Sequence, residues 1–465
     1  MTSKNIKWTI CLLVILGNFL GMLDSTTVNL ALYPIAQDLH INLSQVQWVV
    51  IAYMLVLTVF LPFFGKIGDL FPKNKVYSTG FLIFAIGAFL NSLSPNFYAL
   101  VLFRCIEALG ASIMIANAPA IIASLFKGAD RGKALGINAC LVAVGGMSGP
   151  AVGGALINYF GWRTIFLPSV PIALMGALFA YKLLPFYIKK VEFKFDYKGF
   201  IYFTIALFAL LLAISEGHSW GWKSIKIISL GILTLIFGGL FYFRDSKINY
   251  PLINFKMFKI KTFTFGNIAV MTSYMTMFTN GILLPFFLQE ILKYNALITG
   301  LLILPYSIAS SAVAPFAGAY AGKHGSRNLT IIGPLIYILA LIIFTTFNTT
   351  TQMWEIILAS IIMGIGNGCF QSPSNTAIIT SVKKEELGLA SGILSLSRNL
   401  GNILGVAITI TLFDSFKTML LHDGIAYQNA FLTSYHWTMC FGIAFGVVCC
   451  GSAFIAYKDR NKNLH

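Results

Sequence analysis

Runs of about twenty apolar residues recur along the whole chain, separated by short polar connections. A bilayer core about 30 Å thick needs about 20 such residues per crossing helix. Backbone inside lipid must also satisfy its own hydrogen bonds, which leaves helices or closed barrels, and runs this long suit helices. Fourteen segments qualify, from 9–32 to 437–457, so the sequence predicts an all-α membrane protein with 14 transmembrane helices. Composition removes the soluble alternative. Only 10 % of the 465 residues are charged and 57 % are hydrophobic, against about 25 % charged in ordinary soluble domains. The first run follows Lys4 and Lys7 and continues past Asp24 without a small-residue cleavage pattern, so it is read as a retained span.

Basic residues orient these spans. Counting connections alternately inside and outside, 25 Lys or Arg fall on one side and five on the other. By the positive-inside rule the richer side is cytoplasmic, with both termini there, in a multi-pass cell membrane protein; mostly short loops and a composition rich in Lys, Ile, Asn and Phe suggest a bacterial one. The net charge of +16 then belongs to loops facing anionic lipid headgroups, and nucleic acid is not an expected partner. The seven cysteines lie in apolar segments without Cys-x-x-Cys spacing, and the six histidines lack metal-ligand spacing. No metal or cofactor is expected. Phosphate-loop, nucleophile-elbow and potassium-filter motifs are absent, so an ion gradient is the expected energy source for transport.

The chain also repeats. A shift of 256 residues places Gly110 on Gly366, Lys127 on Lys383, Gly132 on Gly388, Gly145 on Gly401 and Gly149 on Gly405. The predicted organisation is two pseudo-symmetric six-helix bundles, 1–184 and 263–465, with two inserted helices and their cytoplasmic linkers at 185–262. Duplicated bundles of this kind take their cargo near the membrane midplane. One chain holds both halves, so a monomer suffices.

Ionisable groups inside spans cost about 2.5–3.5 kcal/mol each on insertion scales and are functional suspects. They are Asp24, Arg104, Glu107 and Arg398. At about 1.5 Å per residue, Asp24 lies about 22 Å from the cytoplasmic start of its span and Arg104 about 9 Å from the outer start of its own. These depths coincide in a core of about 30 Å, so the two can pair. Glu107 is three residues beyond Arg104 on the same helical face. Two readings stand: a cluster that loads and releases a proton as water access changes, or a permanent ion pair that fixes packing. Arg398, about 15 Å into its span, has three options. It can hold an anionic group, pair with Asp24 or Glu107, or bond backbone carbonyls.

The motifs resemble a known family. Leu23-Asp24-Ser25-Thr26-Thr27-Val28-Asn29-Leu30-Ala31-Leu32 resembles the first-helix motif of the fourteen-helix drug:proton antiporters of the major facilitator superfamily. Gly65-Lys66-Ile67-Gly68-Asp69 resembles the superfamily's loop between helices two and three, and Arg104 to Gly110 its fourth-helix motif. Gly145-Gly146-Met147-Ser148-Gly149-Pro150-Ala151-Val152-Gly153-Gly154 resembles the fifth-helix antiporter motif, and Pro285-Phe286-Phe287-Leu288-Gln289 is similar to the same branch. The likeness covers essentially the whole chain. It implies export of amphipathic cationic or neutral drugs in exchange for protons, with Asp24 and Arg104 coupling the proton; Glu107, beside Arg104 on the same helical face, is the candidate second carrier or cation contact. It also implies conformational roles for Gly145, Gly149, Pro150, Gly153 and Gly154, and a cytoplasmic latch of Asp69 with Arg131. Phe19, Trp48, Tyr53, Phe286, Phe370 and Arg398 are the candidate substrate contacts, although most aromatics in membrane helices serve packing. Departures from the pattern are Glu107 where the family usually has Gln, Ala108 for Gly, Tyr33 before Pro34, and Gly322 in place of the second latch acid. Two alternatives remain: an exporter of one endogenous metabolite, siderophore, lipid or antibiotic, and a non-transporting membrane sensor or scaffold. No enzyme activity is expected.

Overall fold

The computed structural model describes residues 4–126, 128–184, 196–248, 253, 255–382 and 387–457. Every regular element among them is helical. Eleven helices among the described residues are long and apolar enough to cross a membrane. Their outward faces carry large apolar side chains, such as Leu102 (59 % exposed), Leu178 (65 %) and Leu235 (77 %). In water such surface is unfavourable; against lipid tails it costs nothing.

The chain divides into two units. The first, Met1–Phe195 with Asn295–Leu301, holds α1 (Lys4–Asp38), α2 (Leu43–Val46), α3 (Trp48–Leu70), α4 (Lys73–Ser92), α5 (Phe97–Leu125), α6 (Gly128–Phe160) and α7 (Ser169–Leu183). Helix α5 starts where the Asn96 side chain accepts the Ala99 backbone N–H at 3.0 Å, satisfying a donor that the first turn would leave unpaired. Helices α4 and α5 pack on each other, as do α1 and α6, α3 and α5, and α4 and α7. At the α4–α5 crossing, Gly87 lies on the Glu107 backbone, and Gly110 lies on the Phe84 backbone and the Gly80 carbonyl. No side chain fits there without moving main chain. Gly110→Ala is therefore expected to cost about 1–3 kcal/mol, the usual range for overpacking. Lower thermal melting of the detergent-solubilised protein would show it; an unchanged melting temperature would refute the close approach.

The second unit, Asp196–Tyr294 with Leu302–His465, holds α8 (Tyr197–Trp220), α9 (Ile225–Asp245) and α10 (Lys261–Phe286), then α11 (Ala296–His324) from Leu302 onward. It continues through α12 (Arg327–Phe344), α13 (Met353–Ile379), α14 (Leu387–His422) and α15 (Tyr427–Tyr457). Helix α10 packs on α14 and α15, α12 on α13 and α15, and α8 on α9 and α14. The Thr411 hydroxyl donates to the Ile214 carbonyl at 3.1 Å, tying α14 to α8. Helix α9 buries little beyond Ile227, Phe241 and Asp245. Helices α4, α6 and α10 have 20, 33 and 26 residues and stand outside the eleven.

Candidate functional site

The most heavily charged interior point of the first unit is a triad drawn from α1 and α5. Asp24 is 7 % exposed, Arg104 1 % and Glu107 0 %. One guanidinium nitrogen, Nη1 of Arg104, donates to Asp24 Oδ2 at 2.7 Å and to Glu107 Oε2 at 2.6 Å. Arg104 Nε donates to the Val49 carbonyl of α3 at 3.2 Å. The guanidinium carbon stands 4.1 Å from the centre of the Tyr53 ring and 5.8 Å from that of Phe166. An arginine held by a carbonyl, two carboxylates and an aromatic face is fixed in position, as a buried cation must be.

Glu107 has a further partner. Asn91 Nδ2, from the last turn of α4, donates to Glu107 Oε2 at 2.6 Å. The other carboxylate oxygen, Oε1, is buried without a hydrogen-bond partner, and so is the Tyr53 hydroxyl. With both carboxylates ionised, the triad holds two negative charges against one positive. A proton on either carboxylate balances it.

Asp24 also borders a small cavity. Leu23, Thr27, Val152, Leu156, Ile165, Pro168 and Ser169 complete its wall, and its interior has room for about one water molecule. Thr27 links this wall to α6: its hydroxyl donates to the Leu23 carbonyl at 2.8 Å and to the Gly149 carbonyl at 3.2 Å. Gly149 sits against the Thr26 side chain, and Gly153 against Thr27. The glycine-rich stretch of α6 thus lets α6 lie directly on the turn of α1 that carries Asp24. Gly145 packs on Phe19 in the same seam, Gly154 abuts Ala296, and Pro150 is buried.

The remaining candidates scatter. Tyr53 joins the triad, and Trp48, half-buried at the start of α3, is next to Val49. Phe19 is half-buried on α1. In the second unit Phe286 (2 % exposed) and Phe370 (0 %) are enclosed by protein, Phe370 against Gly333 and Tyr337. Arg398 is half-buried on α14 with its Nε unpartnered. Asp69 lies on α3 and Arg131 on α6, but their side chains fall outside the described residues.

Sequence reasoning missed Asn91 and the Val49 carbonyl. Asn91 left a trace, an amide near the end of an apolar helix; a backbone carbonyl leaves none. Also missed was a hydrogen-bonded chain in the second unit. The Ser273 hydroxyl donates to the Tyr337 hydroxyl at 3.2 Å, which donates to Asn367 Oδ1 at 2.9 Å, and Asn367 Nδ2 donates to the Ser310 hydroxyl at 2.7 Å.

Apolar helices long enough to cross a bilayer, with charged and polar groups sealed inside them, define a helical membrane protein. Comparison with known proteins narrows the class. The sequence profile of the Major Facilitator Superfamily matches residues 14–192 and 266–464, and the chain belongs to that family. It is 34 % identical over 408 residues to the riboflavin transporter RibZ of Clostridioides difficile, covering 88 % of each chain. It is 28 % identical over 397 residues to the multidrug resistance protein Stp of Mycobacterium tuberculosis, covering 84 % of this chain and 73 % of that one. The multidrug transporter protein MdtP of Bacillus subtilis is 28 % identical over 411 residues, with 88 % and 76 % covered. In fold the chain matches a bacterial homologue of the human lysosomal transporter Spinster, with a TM-score of 0.74 over 99 % of both chains at 16 % identity.

Proposed function

We propose that this transporter is a proton-coupled exporter of small amphipathic molecules, and that Asp24, Arg104 and Glu107 couple the proton to the cargo. The observation that carries this reading is one guanidinium nitrogen shared by two buried carboxylates. Ionisable groups within membrane helices are costly and mark ion pathways. Here the excess negative charge suits a proton rather than a fixed counter-ion. Asp24 is the principal carrier in this reading, because it borders the water-sized cavity while Glu107 is sealed. A proton arriving on Asp24 would leave Arg104 to Glu107 alone, loosening the hold of α1 on α5. Motion of α1 passes to α6 through Thr27 and Gly149.

The reading includes fourteen spans: α4, α6 and α10 join the eleven, as two six-helix bundles at 1–184 and 263–465 with α8 and α9 inserted between them. Both termini would face the cytoplasm, the membrane would be the bacterial plasma membrane, and a monomer would suffice. The identities to Stp and MdtP support drugs as cargo. A second reading, a single heterocyclic metabolite such as riboflavin, is favoured by the 34 % identity to RibZ.

Proteoliposomes carrying a pH dye, challenged with riboflavin and with a panel of cationic and neutral amphiphiles, test both readings. Cargo-dependent proton movement for several panel members supports the drug exporter, and a response to riboflavin alone supports the metabolite reading. No proton movement with any compound refutes coupling. Glu107→Gln leaves Asp24 and Arg104 as a balanced pair, so coupled transport is expected to persist with fewer protons per cargo molecule. An unchanged ratio would assign Glu107 to holding Arg104 in place.

A further inference from the structure

Arg398 is a half-buried cation with no counter-charge among the described residues of its unit. It makes no ion pair among the described residues, and its Nε is enclosed without a hydrogen-bond partner. The nearest described acid on α14 is Asp414, about 24 Å along the helix at 1.5 Å per residue. On neighbouring α13 the acid is Glu355 in its first turn, about 24 Å from Gln371. No acid lies on α10, α12 or α15.

The surroundings of Arg398 are polar and incomplete. Beside Arg398, α14 is set against α10: the Ser397 hydroxyl donates to Asn267 Oδ1 at 3.0 Å, and Gly401 admits the Met271 carbonyl and the Tyr274 side chain. Tyr274 reaches on to α13, where its hydroxyl donates to Gln371 Oε1 at 3.4 Å. One turn from Arg398, Asn402 has its Oδ1 buried and unpartnered; one turn from Gln371, so has Asn375. A donor on Arg398 and an acceptor on Asn402 of α14, and an acceptor on Asn375 of α13, are therefore left open on two helices that pack on each other and on α10. Buried polar groups are normally satisfied, so open ones that share a site call for a ligand.

We propose that Arg398, with Asn402, Asn375 and the Tyr274–Gln371 pair, is a binding subsite for the anionic oxygen group of the cargo. The class of ligand is an aromatic acid that also carries hydroxyl or N–H donors. The carboxylate or equivalent oxygen group lies on Arg398, and the donors meet the asparagine oxygens. This goes beyond the cationic and neutral drugs that the family resemblance implies. It rests on the reading of the chain as a carrier of small amphipathic molecules.

The test uses two fluorophores built on the same xanthene ring, fluorescein, which is anionic with a free carboxylate, and rhodamine 6G, which is cationic and esterified. Binding to the full-length protein in detergent is followed by fluorescence anisotropy. Wild type is expected to bind fluorescein more tightly than rhodamine 6G. Arg398→Gln is expected to weaken fluorescein by about tenfold or more, the worth of one charge-assisted hydrogen bond. Rhodamine 6G should be left within a factor of about two, and Arg398→Lys should recover part of the loss. Absence of fluorescein binding by wild type overturns the proposal. So does equal weakening of both dyes, which would mark a structural role, or an unchanged fluorescein affinity in Arg398→Gln. The measurement needs no proton gradient, so its failure leaves proton coupling standing, and a failure of coupling in liposomes leaves the subsite standing.

Discussion

Asp24→Asn is expected to reduce cargo-driven proton movement in proteoliposomes to the level of empty vesicles, while the protein stays folded. Asparagine has nearly the shape of aspartate, and its carbonyl oxygen can still accept from Arg104 Nη1, now 2.7 Å from Asp24 Oδ2. The substitution removes one of two negative charges facing one positive, so Arg104 and Glu107 remain as a balanced pair at 2.6 Å. No charge is stranded, which is the circumstance that makes most deletions of a buried partner costly. Melting temperature and detergent elution profile should match wild type. Cargo-dependent proton movement at the wild-type rate would remove Asp24 from the coupling role and the proposed mechanism with it. A variant that binds cargo but moves no proton would leave transport class and cargo intact and place the loss on Asp24.

Arg104→Met should have the opposite signature, a loss of the fold rather than of a step. Methionine fills a similar apolar volume, but it leaves Asp24 and Glu107 facing each other and the Val49 carbonyl without its donor. Breaking a buried pair in this way typically costs about 3–5 kcal/mol. The melting temperature of the detergent-solubilised variant should fall well below that of wild type. Adding Glu107→Gln to Arg104→Met removes one of the stranded charges and should recover part of the loss. Equal stability of Arg104→Met and wild type would show that the triad contributes nothing to holding α1 on α5.

The placement of the glycines bears on both results. Gly87 and Gly110 bring α4 within main-chain contact of α5, which sets Asn91 against Glu107. Gly149 and Gly153 do the same for α6 and α1 beside Asp24. Close approach of this kind is how membrane helices associate where lipid removes the hydrophobic drive between them. Position and charge are coupled: a larger residue at these crossings would displace the turns that carry the carboxylates.

Much of the molecule was legible in residue order because lipid imposes its demands locally. A helix crossing the bilayer must be apolar over about 20 consecutive residues, a constraint visible without any neighbour. The exposed faces of Leu102, Leu178 and Leu235 answer that demand. Depth was legible too, since a fixed rise per residue converts a count into a height. That arithmetic set Asp24 and Arg104 at one level before any contact was known.

Rotation about the helix axis and the choice of neighbour are different quantities. They depend on how side chains of several helices interlock, and no single segment encodes them. Only the tertiary structure put Asp24 and Glu107 on the same guanidinium nitrogen, brought Asn91 to Glu107 and set the Tyr53 ring beneath Arg104. It also enclosed Phe370 against Gly333 and left Arg398 without an ion pair among the described residues. The sequence by itself determined a membrane-spanning helical protein and the heights of its buried charges, because those follow from solvent and helical rise. Which charges meet was decided by packing, because contact is a property of several helices at once.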